Sequence, residues 1–209
     1  MSEVKHDGYR LMVRRSGEHV RIYTRRGVDW TERFPRIVEG FRKLKVSSIL
    51  LDGEGVISDD RGLTVFDRLH SKAHDRDVIL FAFDLLELDG EDCRRELLLK
   101  RKLRLRTILK RMQSGVYYTD HLETDGATMF EHACRFGCEG IVAKRTDQPY
   151  RSGRSKSWLK IKNPKSPAAL RIEGGDILGR APTEAPTRPP DDGLDTRRGR
   201  ELSGLRPEG

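Results

Sequence analysis

Apolar and charged residues alternate over residues 9–14 and again over 19–24, with Ser16-Gly17 between them. This period of two predicts a β-hairpin with one buried face. The period then changes. Trp30, Phe34, Ile37, Val38 and Phe41 recur at helical spacing, predicting an amphipathic helix over 31–43 with Pro35 in its first turn. A short apolar strand at 48–51 is expected to break at Asp52-Gly53-Glu54-Gly55 and resume at Val56-Ile57, and carboxylates two apart on a strand point to one side. Asp59-Asp60-Arg61-Gly62 reads as a turn, and 63–71 as a short helix or irregular segment. The apolar run 78–83 predicts a buried strand ending near Asp84. Over 94–112, Leu97, Leu98, Leu103, Leu105, Ile108 and Leu109 form the expected apolar stripe of a helix, with its lysines and arginines on a solvated face. There follow a strand at 116–118, a helix opened by Asp125 and closed at Gly137, and a buried strand entered from Glu139. A basic loop spans 149–156, and a last strand, 158–162, carries Lys160 and Lys162 on one side.

Beyond about residue 169 the pattern stops. Pro182, Pro186, Pro189 and Pro190 lie among Gly, Arg, Asp and Thr with few apolar residues, too little buried surface to offset the entropy of ordering. The expected organisation is one domain over 1–168 and a disordered tail over 169–209.

Charge and cysteine content narrow the function. The chain has 41 Lys+Arg against 33 Asp+Glu, a net +8, which favours a polyanionic partner. No apolar run is long enough to span a bilayer and no export pattern opens the chain, so a cytoplasmic protein without a membrane partner is expected. Three cysteines do not suggest a disulfide framework; Cys134 and Cys138 beside His132 invite a zinc reading, but the other histidines are scattered.

The candidate chemistry begins at Lys5-His6-Asp7-Gly8-Tyr9-Arg10. If Asp7-Gly8 makes a tight turn, Lys5 and Arg10 leave a strand-turn-strand element on either side of it and converge on one anion. Taken alone, the string serves equally well as a solvated hairpin tip. Further along stand Arg25 after the next strand, Glu54 and Glu139 at two acidic strand positions, Phe83 at an aromatic strand end, and the Lys160/Lys162 pair. This ordered series resembles the adenylation (nucleotidyltransferase) domain of ATP-dependent DNA ligases over residues 1–165. Within that family it is most similar to the ligase modules of bacterial end-joining proteins.

The resemblance implies an α+β, ATP-grasp-like nucleotidyltransferase domain with mostly antiparallel sheets flanked by helices. It implies ATP and Mg²⁺ (or Mn²⁺) as cofactors, with Lys5 taking AMP through a phosphoramidate and passing it to a DNA 5′-phosphate. Glu3 and the Val4 backbone match groups that read the adenine amino group. Arg10 and Arg25 match arginines of the ribose and phosphate region, Glu54 the acid near ribose and metal, and Phe83 the aromatic stacked on adenine. Glu139 matches the metal carboxylate, and Lys160 and Lys162 the lysines on the α-phosphate; Asp7 and Asp52 are expected to hold the site together.

The chemistry needs such groups: an amine nucleophile, neutralisation of the phosphoryl oxygens and an in-line leaving group. An ordinary lysine, with a pKa of about 10.4, is protonated at neutral pH. Neighbouring cations are therefore expected to favour the free base of Lys5. Partners implied are DNA with nicks or broken ends and end-joining proteins, for a monomer in the bacterial cytoplasm near the nucleoid. Family members also carry a longer stretch before the nucleophile and an OB-fold after the lysine pair, whereas here four residues precede Lys5 and no five-strand pattern follows Lys162, so a separately encoded OB-fold is a further expected partner. RNA ligases and capping guanylyltransferases share the lysine chemistry, although a carboxylate at Glu3 suits adenine over guanine. A non-catalytic nucleotide- or DNA-binding domain is the alternative of another class.

Overall fold

The structure is a computed structural model that describes residues 1–60, 62–111, 114–123, 125–153 and 155–175. Of the tail expected over 169–209, residues 176–209 lie outside the described residues. Along the chain run β1 (Ser2–Val4), β2 (Tyr9–Ser16), β3 (His19–Thr24), α1 (Pro35–Arg42), β4 (Ser48–Val56), α2 (Phe66–His70), β5 (Ile79–Leu88) and β6 (Glu91–Asp92). They are followed by α3 (Leu98–Leu109), β7 (Val116–Tyr118), β8 (His121–Leu122), α4 (Gly126–Arg135), β9 (Gly140–Lys144), β10 (Trp158–Lys162) and α5 (Pro167–Gly175).

Two sheets result. The larger has the order β3-β2-β4-β5-β6, antiparallel throughout, with β7 added parallel to β5. Its inner face carries Leu11, Val13, Ile22, Leu51, Leu80 and Leu85, and α1 and α3 pack against it. The smaller sheet has the order β10-β9-β1-β8, and α4 covers it through Met129 and Ala133 against Ile141. This is the expected α+β architecture of antiparallel sheets flanked by helices.

The tight turn expected at Asp7-Gly8 is not formed. β1 pairs with β8 and β9, whereas β2 pairs with β3 and β4, so residues 5–8 cross from one sheet to the other and do not close a hairpin. Gly8 serves close approach instead: a Cβ there would stand 2.3 Å from the Gly55 carbonyl oxygen. The break expected at 52–55 is also absent, because β4 runs unbroken from Ser48 to Val56. Its glycines let neighbours in; a Cβ on Gly53 would meet Leu80 and the Phe81 carbonyl at 2.8 Å.

Two helices are shorter than their periodicity predicts. Pro35 excludes Phe34 from the helical region, so residues 31–33 form a 3₁₀ turn and α1 starts with proline as its first residue. α3 begins only at Leu98, and Met112 lies outside the described residues. Its buried face differs from the expected stripe. Leu98, Leu105 and Leu109 are inside, but Leu97 and Leu103 are each 54% exposed while Arg101 and Lys102 are buried. Helix α5 also crosses the boundary placed at residue 168, and its Arg171 pairs with Asp7 in the crossing segment. That ion pair anchors a turn of helix where composition predicted disorder.

Gly140 starts β9 with φ +144°, and a Cβ there would lie 2.1 Å from the Ile161 carbonyl oxygen. Gly140→Ala should therefore cost about 1–3 kcal/mol by forcing β9 from β10. Denaturant unfolding checks this; an unchanged midpoint would mean the strands separate freely.

Candidate active site

Because the chain crosses between sheets at residues 5–8, Lys5 stands where elements of both meet. Its backbone N–H donates to the Gly140 carbonyl (2.9 Å), and its ammonium pairs with the Glu139 carboxylate at the entry to β9. Both side chains are nearly buried. On the large sheet, β2 and β4 place Arg10 opposite Glu54. Arg10 is held there by a bidentate pair with Asp52 (3.0 and 2.6 Å), to which Tyr150 also donates (3.0 Å). Asp52 is fully buried, which fits the holding role expected of it.

A small cavity opens beside Lys5, lined among others by Glu3, Glu54, Phe83, Thr119, Lys144 and Lys160. Val4 and Arg10 line it as well, so six of the residues singled out for nucleotide binding meet there together with Lys5. Three do not. Arg25, one residue past β3, is exposed and lines a neighbouring cleft with Arg151, Trp158 and Lys160. Lys162 is exposed, opposite Gly140, and borders neither space. Glu139 borders a second hollow that Lys5 also lines, with Asp7, Thr64 and Arg171.

Glu3, matched in sequence to the group that reads the adenine amino group, lies between two lysines. β1 is flanked on both sides, so its central residue is 2% exposed. Lys102 Nζ lies 2.7 Å from Oε1 and Lys144 Nζ 2.5 Å from Oε2. Burial opposes ionisation of Glu3, but the two ammonium groups outweigh it and its pKa falls below the ordinary value. Lys144, a residue without an assigned role in the sequence, sits 4.5 Å from the Phe83 ring centroid and 4.1 Å from that of Trp158. Sequence reasoning missed Lys102 and Thr119. The signal for Lys102 was its i,i+3 relation to Leu105 and i,i+4 relation to Leu98, which puts it on the inner face of α3.

Two titrations carry opposite signs. Burial raises the Glu54 carboxyl to about 7 from an ordinary 4.5, against the lowering effect of Lys5 and Lys160. Burial also lowers His6, whose ring stacks on Phe81, to about 4 from 6.5. Folded Glu54 binds its proton more tightly than unfolded Glu54, so its contribution to stability is full below 4.5 and is lost as pH rises toward 7. The His6 contribution runs the other way, being lost as pH falls from 6.5 toward 4. Glu54→Gln should remove the first slope, worth on the order of 1–3 kcal/mol for a partly exposed group. The check is the wild-type minus variant unfolding free energy at about pH 5 and pH 7.5; a difference that does not change with pH refutes it.

A lysine at a sheet crossing, paired with a carboxylate and bordering a cavity with an aromatic wall and further cations, is an arrangement suited to a nucleoside phosphate. The family model of the ATP dependent DNA ligase domain matches residues 1–162, and the chain belongs to that family. The multifunctional non-homologous end joining protein LigD of Pseudomonas aeruginosa is 37% identical over 164 residues, covering 77% of this chain and 20% of that protein. A probable DNA ligase of Beutenbergia cavernae is 35% identical over 174 residues, 77% of this chain and 33% of that protein. Among solved structures, mycobacterial DNA ligase D complexed with ATP and MES superposes with TM-score 0.68 at 33% identity, covering 77% of this chain and 53% of that one. The chain thus spans about a fifth of the LigD protein and about half of the solved ligase chain.

Proposed function

We propose that this chain is the adenylation domain of an ATP-dependent DNA ligase of the end-joining type, with Lys5 as its nucleophile and DNA carrying nicks or breaks as its substrate. The reading is carried by Lys5, whose amine stands between the Glu139 carboxylate and a cavity bordered by Phe83, Glu54 and Lys160. In the first step the Lys5 nitrogen, freed of its proton, attacks the α-phosphorus of ATP. An N–P bond forms, the P–O bond to pyrophosphate breaks, and pyrophosphate leaves with the electron pair. In the second, an oxygen of a DNA 5′-phosphate attacks the same phosphorus and the N–P electrons return to Lys5.

The other residues position the nucleotide. Phe83 stacks on the base, Glu3 and the Val4 backbone read its amino edge, and Arg10, held by Asp52, faces the sugar and phosphate side. Lys160 neutralises phosphoryl oxygens; its own pKa is lowered by burial and by the charge of Lys5. Arg25 and Lys162 act from outside the cavity, on the phosphate path. Before Lys5 can attack, its pairing with Glu139 has to part.

The residues fit a divalent cation of the Mg²⁺ type only together with the nucleotide. Among the described residues no three of His, Cys, Asp or Glu cluster to hold a metal. Glu54 and Glu139 are two hard carboxylates flanking Lys5, and Mg²⁺ is commonly held by one or two carboxylates plus substrate phosphates. When bound, the ion supplies positive charge to the phosphoryl oxygens.

The test is intact-mass measurement after incubation with ATP and Mg²⁺. The expected result is a gain of one AMP on one lysine, with an acid-labile, base-stable linkage. GTP is expected to give no adduct, because Glu3 repels guanine O6. Nucleotide binding without any adduct refutes the catalytic reading and leaves a binding domain, whose DNA affinity would fall steeply with salt.

A further inference from the structure

Thr119 follows β7 and carries no role in the reaction described so far. It is 3% exposed and its hydroxyl has no hydrogen-bond partner among the described residues. Both backbone groups are engaged: its N–H donates to the Ala82 carbonyl (2.9 Å), and its carbonyl accepts from Lys102 Nζ (2.6 Å). The buried hydroxyl is therefore the polar group that Thr119 has left unpaired, on a residue that lines the cavity. Leaving a buried hydroxyl unpaired destabilises a fold, and a valine of the same shape would avoid that.

The position relative to Glu3 is set by one ammonium. Lys102 Nζ touches Glu3 Oε1 at 2.7 Å and the Thr119 carbonyl at 2.6 Å, so the two residues stand side by side at one end of the cavity, with Phe83 as its aromatic wall. Lys144 donates to Oε2, while Oε1 lies 2.7 Å from Lys102 Nζ in charge contact without a hydrogen bond, so the carboxylate keeps lone pairs able to accept from a ligand. The cavity end thus offers an acceptor and, next to it, a rotatable donor. That pair is complementary to a purine edge bearing an amino group beside an unprotonated ring nitrogen.

We infer that Thr119 is a base-contacting residue: its hydroxyl donates to the adenine ring nitrogen, N1 or N7, that flanks the amino group taken by Glu3. The inference rests on the reading above that ATP occupies this cavity. It assigns Thr119 affinity and orientation of the base, while preference against guanine stays with Glu3.

The experiment is equilibrium binding of ATP, 1-deaza-ATP and 7-deaza-ATP to the full chain, wild type, Thr119→Val and Thr119→Ser. Thr119→Val should bind ATP about tenfold more weakly, and Thr119→Ser should recover most of that. One deaza analogue should lose about tenfold on wild type and nothing further on Thr119→Val, which identifies the nitrogen. Without nucleotide, the Thr119→Val melting temperature should not fall, since an unpaired hydroxyl is removed. Wild type that binds ATP and both analogues equally overturns the inference whatever the variants do. Equal ATP affinity of wild type and Thr119→Val overturns it too. Wild type that binds no ATP overturns the ligase reading itself, and this assignment with it.

Discussion

Lys5→Arg is expected to give no covalent AMP while still folding and binding ATP. The guanidinium keeps a positive charge against Glu139, which is nearly buried and would be left without its partner by Lys5→Ala. An arginine cannot give up its proton in a protein, so it cannot supply the lone pair that attacks phosphorus. Loss of the label should be complete, because no other group among the cavity residues holds the same place; Lys160 reaches it from β10, on the opposite side of β9 from β1. Two measurements decide the matter: intact mass with ATP and Mg²⁺, and ATP binding by calorimetry. An AMP adduct on Lys5→Arg would take the nucleophile's role from Lys5. An unfolded Lys5→Arg would show that the pair with Glu139 depends on ammonium geometry, and Lys5→Ala then supplies the comparison.

The second large effect lies one residue after the aromatic wall. Asp84 is fully buried and receives Arg101 Nε at 2.7 Å and Nη2 at 2.9 Å; Arg101 is 1% exposed. The same guanidinium donates to the Glu96 carbonyl at 2.5 Å, tying α3's approach to β5. Removing one member of such a pair leaves a buried charge uncompensated, which costs about 3–5 kcal/mol. Asp84→Ala should therefore lower stability by that amount and weaken nucleotide binding by releasing Phe83. Replacing both, as in Asp84→Leu with Arg101→Met, should restore much of the loss, because no lone charge remains. Urea unfolding of the single and double variants measures this. A double variant as unstable as Asp84→Ala would mean the pair itself, and not the orphaned charge, carries the stability.

Local patterns were enough for the elements that bury one regular face. The β2–β3 hairpin, α4 with its Asp125 cap and the paired-lysine strand β10 follow from period, turn residues and capping. The order of the motif residues along the chain was enough to suggest the family, since each of those residue types has a chemical task on a nucleoside triphosphate. Periodicity also misled where an apolar count stood in for burial. In α3 it favoured Leu97 and Leu103, whereas the buried positions include two cations.

What the sequence by itself determined is the set of chemical groups and most strands and helices, because alternation, caps and glycines act over a few residues. Tertiary structure alone decided that Lys5 lies on a crossing between two sheets, that Glu139 rather than a cation is its partner, and that Lys102 and Lys144 converge on Glu3. Those contacts join residues more than ninety positions apart. Their energy depends on burial and on which opposite charge is brought within about 3–4 Å, and neither is encoded in any local pattern.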